Sequence, residues 1–294
     1  MKRFWSILTI AVAISTVGLV DMQAQAQPTE PEATPFSGVN GVVKKEHIAN
    51  KKYIPYAYVR EADMLWSKTV WRMIDMREKL NQPLYYPTRV LGDRRNLLQV
   101  IIDAVEAGDL VTYDANNAND EFAVRLSTKE FKTTLGNMDD TAEVVNAETG
   151  LLEKVVAKGE YHITEVKKIL LKEVWYFDKK YSRMDVRIIG MCPIIEMPNN
   201  EGTRIDQKLT FWVYYPELRP FLSKQEVYNT RNDSQRDSYD DLFAKRRFGS
   251  YIFREENVYN NRSIIQYYQG METTLESERI KNDIFIKEHD MWEF

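Results

Sequence analysis

The chain is poor in the side chains that most often carry chemistry. It has one cysteine and three histidines among 294 residues. A single cysteine excludes an intrachain disulfide, an iron–sulfur site and a cysteine-rich zinc site. The histidines, His47, His162 and His289, are scattered, which argues against a histidine metal centre or a shared general base. The 12 glycines are separated, so no phosphate-cradling loop or dinucleotide fingerprint is present. There is no His-Glu-x-x-His helix and no Gly-x-Ser-x-Gly elbow. Basic residues are not in excess: 40 Lys and Arg against 44 Asp and Glu give a net charge of -4, unlike a dedicated nucleic-acid binder. The adjacent carboxylates Asp139-Asp140 and Asp240-Asp241 do not converge on one helix face, so no acid/base pair is nominated. No catalytic residue, cofactor or metal ligand is expected.

Aromatics are plentiful, with 6 Trp, 17 Tyr and 12 Phe, so the chain is not wholly disordered. Lys2 and Arg3 precede an apolar run from Phe4 to Val20, and Ala24-Gln25-Ala26 is a small-x-small pattern. This predicts a secretory signal peptide over residues 1–26, cleaved after Ala26. After Val20 no stretch is long and apolar enough to span a bilayer, so the product is expected to be exported and soluble. Cys192 lies in an apolar run and reads as a buried thiol; a nucleophile would need a base partner, and none is recognisable.

The predicted class is α+β, with mixed helices and short antiparallel strands behind an extended N-terminal arm. Pro28, Pro31, Pro35 and Pro55 set out an arm over residues 27–55, with Val39, Val42 and Val43 able to form a short docking strand; a plain tail fits equally well. A core is expected over 56–275, with a division into two subdomains near 155 as an option, and a weakly ordered tail over 276–294. Ala62, Leu65 and Trp66 suggest a helix to about Ser67, followed by a strand. Leu84-Tyr85-Tyr86 reads as extended between prolines. Leu97, Leu98, Ile101, Ile102 and Val105 form a helical stripe, capped by Asp93 and ended by Gly108. Ser127 with Glu130, and Ser238 with Asp241, are capping boxes, the second helix closing at Gly249. Residues 136–159 read as loop with weak helical turns. Met184–Ile195, Leu209–Tyr215 and Tyr251–Phe253 are strand-like, and Pro216 and Pro220 bound a turn or short arm. Lys68-Thr69-Val70-Trp71 is echoed by Lys172-Glu173-Val174-Trp175, a duplication or a coincidence.

Phe211-Trp212-Val213-Tyr214-Tyr215 places aromatics on both faces of a strand. One face can be core, and the other needs a helix of the same domain or a neighbouring subunit. Phe211, Trp212, Tyr214, Tyr215, Arg219, Arg246 and Arg247, with Val39, Val42 and Val43 of the arm, are therefore the candidate interface residues.

Long strings carry a family resemblance. They are Tyr56-Ala57-Tyr58-Val59-Arg60-Glu61-Ala62-Asp63-Met64-Leu65-Trp66-Ser67-Lys68, Val70-Trp71-Arg72, Asn81-Gln82-Pro83-Leu84-Tyr85-Tyr86-Pro87, Met184-Asp185-Val186-Arg187-Ile188-Ile189-Gly190 and Tyr239-Asp240-Asp241-Leu242-Phe243. Together they resemble the gliding-motility family GldN, called PorN in non-gliding relatives. The resemblance implies a periplasmic component of the type IX secretion system, held peripherally at the outer membrane. It implies a ring of copies of itself with the lipoprotein GldK (PorK), in contact with the periplasmic part of GldM (PorM). No residue roles come with it. The other classes are a periplasmic glycan or peptidoglycan-binding module, marked by an exposed aromatic platform, and a secreted hydrolase, marked by two close carboxylates in a cleft.

Overall fold

The computed structural model describes residues 38–39, 43–44, 48, 50–116, 121–137, 140–145, 152–157, 159, 161–198, 205–229, 232 and 235–292. The signal segment 1–26 lies outside them, as does Val42. The chain forms two units, residues 1–44 and 45–294. In the first, β1 (Gly38–Val39) and β2 (Val43–Lys44) pair antiparallel, with Val39 opposite Val43.

The second unit is built on a seven-stranded antiparallel sheet. Its strands are β3 (Met64–Asp75), β4 (Thr112–Asp114), β7 (Val166–Asp178), β8 (Arg183–Pro198), β9 (Ile205–Leu209), β10 (Phe211–Tyr214) and β13 (Tyr251–Glu255). The order is β13-β3-β7-β8-β10-β4, and β9 pairs with the far half of β8, in line with β10. Strands from both sides of residue 155 share this sheet, so 155 divides nothing. The helix expected up to Ser67 is a single 3-10 turn, Glu61–Asp63, and β3 begins at Met64. The misread residues are the outer end of the strand, where Leu65 is 63% exposed and its helical spacing marks no buried stripe; the stretch beyond it, with Val70 and Ile74 buried on one side and Trp71 and Met73 on the other, is the strand that was expected.

The β3–β7 pairing sets the two halves of the sequence echo side by side. Lys68 lies opposite Trp175, and Trp71 opposite Lys172, so the two similar tetrapeptides pair with one another. Each tryptophan then has the same company on opposite faces of the sheet. Trp71 Nε1 donates to Glu121 Oε1 at 2.8 Å, and Arg254 stacks 3.8 Å from its ring centroid while bonding Glu121 at 3.1 Å. Trp175 Nε1 donates to Glu173 Oε2 at 3.3 Å, and Arg246 lies 5.2 Å from its ring while bonding Glu173 at 3.0 Å.

One face of the sheet is covered by helices. These are α1 (Gln82–Tyr85), α2 (Leu97–Glu106), α3 (Thr128–Thr134), α4 (Tyr215–Lys224) and α5 (Tyr239–Ala244), packed on Ile74, Leu171, Met191, Ile195, Phe211 and Val213. Both capping boxes form as the sequence indicates. For α2 the cap is Asn96 rather than Asp93, because Asn96 Oδ1 accepts from Gln99 N while the Gln99 side chain returns to Asn96 N. Proline starts two helices where turns or extended chain were expected: Pro83 and Pro216 stand in the first turns of α1 and α4, where a missing N–H costs nothing. Gly108 ends α2 in the left-handed region (φ +80). Gly249 does not play that part for α5. Arg246 does (φ +51), with Arg246 N and Arg247 N bonding Phe243 O and Leu242 O.

Residues 136–159, expected as loop, contain the hairpin β5 (Asp140–Val145) and β6 (Leu152–Ala157), and a third hairpin joins β11 (Glu226–Val227) to β12 (Asp237–Ser238). The span expected as a weakly ordered tail carries most of a 22-residue helix, α6 (Met271–Trp292). Its Ile280 and Ile284 pack on Val70 and Ile252, and buried Ser277 Oγ accepts from Ile252 N at 2.9 Å. Among the described residues, no helix is long and apolar enough to cross a membrane.

Candidate interaction surface

The aromatic strand, which called for a cover from its own domain or from a neighbouring subunit, is covered on both faces within the chain. Phe211 is buried against Phe131 of α3, with ring centroids 4.8 Å apart. Trp212 is buried on the other face, 6.0 Å from Phe122. Tyr215 starts α4 and is 1% exposed; burial and the Asp240 carboxylate raise its hydroxyl well above the ordinary tyrosine range. Of the four aromatics, only Tyr214 keeps an exposed edge, at 36% exposure. The arginines are engaged as well. Arg219 holds Asp240 through two bonds of 2.8 and 3.1 Å, both partners buried. Arg246 is on Glu173, and Arg247 meets Asp237 at 2.7 Å with much of its side chain in solvent. The sequence placed these aromatics and arginines in one neighbourhood, and the structure uses most of them internally.

Two exposed features emerge instead. The first is the segment 51–60, which has no regular secondary structure and lies along the second unit. Lys51 pairs with Asp241, its carbonyl accepts from Ser223 Oγ, and Arg187 donates to the Ala57 carbonyl. Arg219 lies 5.2 Å from the Tyr53 ring and 4.4 Å from that of Tyr56. Cation–π contacts of this kind hold a strap without burying it. Ile54 between them and Tyr58 beyond them are 81% and 89% exposed.

The second is the turn between β13 and α6. Asn260 and Asn261 both adopt left-handed backbone (φ +54 and +55), which asparagine tolerates better than most residues. Asn257 Oδ1 accepts from Tyr259 N, its Nδ2 donates to the carbonyls of Glu255 and Arg262, and Asn261 Oδ1 accepts from Asn257 N. Arg262 sits between the Tyr259 and Tyr267 rings, 4.5 and 4.8 Å from their centroids. This pinned loop lifts Val258 (90% exposed) and Tyr259 to its tip. Exposed Ile265, Tyr268, Met271 and Leu275 continue the apolar surface along the chain into α6, whose buried side is Ile280 and Ile284. Sequence reasoning passed over this turn. Its signal was there: an apolar pair inside Asn257-Val258-Tyr259-Asn260-Asn261.

Among the described residues, no group of three or more His, Cys, Asp or Glu side chains is placed to hold a metal ion. The profile of the family described as "Gliding motility associated protein GldN" matches residues 59–293. The chain belongs to the GldN family. No curated protein matches it. The GldN match contains the whole seven-stranded sheet, the pinned loop and the Arg219–Asp240 pair. Lys51, Tyr53 and Tyr56, which hold the segment 51–60, precede it.

Proposed function

We propose that this protein is a non-enzymatic structural subunit of the periplasmic ring of the type IX secretion system. In this reading it is exported by its N-terminal signal and held at the outer membrane by a lipoprotein of the GldK/PorK kind. It neighbours other copies of itself and meets the periplasmic part of GldM/PorM. In species that glide, the same machine supports motility. The family match over residues 59–293 carries the proposal.

Physical features support it. A closed ring needs two different lateral surfaces on each subunit. The pinned Val258–Tyr259 tip is a preorganised apolar knob suited to a neighbouring copy, since its side chains lose little freedom on docking. Arg219 holds Tyr53 and Tyr56 at the start of the folded body, and the arm before them is proposed to reach the lipoprotein. The test removes residues 27–55 and measures co-purification with the lipoprotein. Loss of the complex is expected. An undiminished complex eliminates the arm as the contact.

A further inference from the structure

A cavity of about 270 Å³ lies where β3 ends, lined by Met76, Arg77, Gln82, Tyr85, Tyr86 and Lys167. Its walls are well fixed. Met76 N donates to the Lys167 carbonyl at 2.9 Å, tying the two strand ends together. Tyr85 OH donates to the Thr164 carbonyl at 3.0 Å, and Tyr86 stands perpendicular to Tyr85 with ring centroids 4.9 Å apart. Tyr86 is 55% exposed, so an aromatic surface faces solvent at this site.

The polar groups divide into engaged and unengaged. Arg77 is held by Asp75 at 2.6 Å and by Glu196 at 3.3 Å. The Lys167 ammonium makes no ion pair or hydrogen bond with any described residue, and neither do the Gln82 carboxamide and the Tyr86 hydroxyl. One unengaged cation matches one negative charge. That suits a carboxylate better than a phosphate dianion, which favours a free arginine fork or several donors. The volume lies just under the roughly 300–1,000 Å³ of drug-sized ligand sites, which limits the occupant to one ring.

We propose that this cavity binds a single acidic sugar ring. The apolar C–H face of the ring packs on the tyrosines. The Gln82 carboxamide, both donor and acceptor, reads hydroxyl or acetamido groups. Lys167 takes the carboxylate. The proposal does not depend on the export-machine reading.

The test titrates the full chain by calorimetry with N-acetylmuramic acid and with glucuronic acid. N-acetylglucosamine serves as a neutral ring and acetate as a bare carboxylate. Saturable binding of at least one acidic sugar is expected, about tenfold tighter than the neutral ring, because a charge-assisted bond is lost with the carboxylate. The preferred acid tells a cell-wall glycan from a uronic polysaccharide, and either preference supports the site. Lys167→Gln is expected to reduce acidic-sugar binding to the level of the neutral ring, and Tyr86→Ala to weaken both. Circular dichroism checks that the variants fold, and Gln82→Ala serves as a second probe should Tyr86→Ala unfold. No saturation with either acid, acetate binding as tightly as the sugars, or binding indifferent to these substitutions would overturn the proposal.

Discussion

Glu173 is fully buried in the sheet, where Arg246 pairs with both of its oxygens and Trp175 Nε1 donates to Oε2, while Oε1 accepts no hydrogen bond from any described residue. Glu173→Ala should leave Arg246 without its partner and destabilise the fold by about 3 kcal/mol, read from the denaturation midpoint. Arg246 also carries backbone strain as the left-handed residue after α5. Arg246→Gly and Arg246→Ala both lose the ion pair, but the glycine variant should be the more stable by about 1 kcal/mol. Equal stabilities would contradict the backbone argument. Cys192 is the opposite case, an uncharged buried group. It is 0% exposed, and burial pushes its thiol up to about 12. A thiol reagent at pH 8 should leave the native protein unmodified and label one thiol per chain in denaturant. The apolar run around this residue made its burial legible from sequence. The roles of Glu173 and Glu121 were not legible, because a buried carboxylate is recognised by its partners. Those partners arrive from positions as remote as Arg246 and Arg254.

Among the elements, capping and strand chemistry were readable wherever the signal was local. Ser127–Glu130 and Ser238–Asp241 act within four residues, and both boxes form. The start of β3 was misread because Leu65 and Trp66 satisfy a helical spacing, and pairing with a strand a hundred residues away decides the matter. The hairpin β5–β6 is an exception, a local pairing that was expected as loop; it forms a two-stranded sheet of its own and adds no strand to the main one. Asp241 joins two elements, capping α5 while bonding Lys51 of the strap. Burial acts to raise its carboxyl, but Lys51 and the Ser238 bonds outweigh this and hold it at about 2, below the ordinary 3.8. A depressed folded value stabilises the protein fully above the unfolded value and is lost as pH falls through the folded one. Asp241 should therefore contribute about 2 kcal/mol at neutral pH, lost between about pH 4 and pH 2. Lys51→Met should reduce that contribution and move the acid-unfolding limb to higher pH. An unchanged limb would show that the strap is not held by this pair.

For the whole molecule, the α+β class was legible in sequence, and the GldN resemblance agrees with the family match over residues 59–293. The interaction surface was much less so. Composition cannot say whether an aromatic fills a core or a seam. Phe211 and Trp212 went to the core because α3 and the segment holding Phe122 cover them from two sides, and Tyr215 because it packs on Phe243 of α5. Exposed Tyr259 sits on a turn held by Asn257 and Asn261, whose hydrogen bonds become visible only once the chain is folded. The central claim is that this protein works by assembling with its own kind and with a lipoprotein. The measurement that bears on it most directly is the mass in solution, by light scattering, of the protein produced with and without the lipoprotein. A large complex holding many copies of both chains is the expected result of co-production. A monomer that never co-elutes with the lipoprotein, under either condition, would contradict the account.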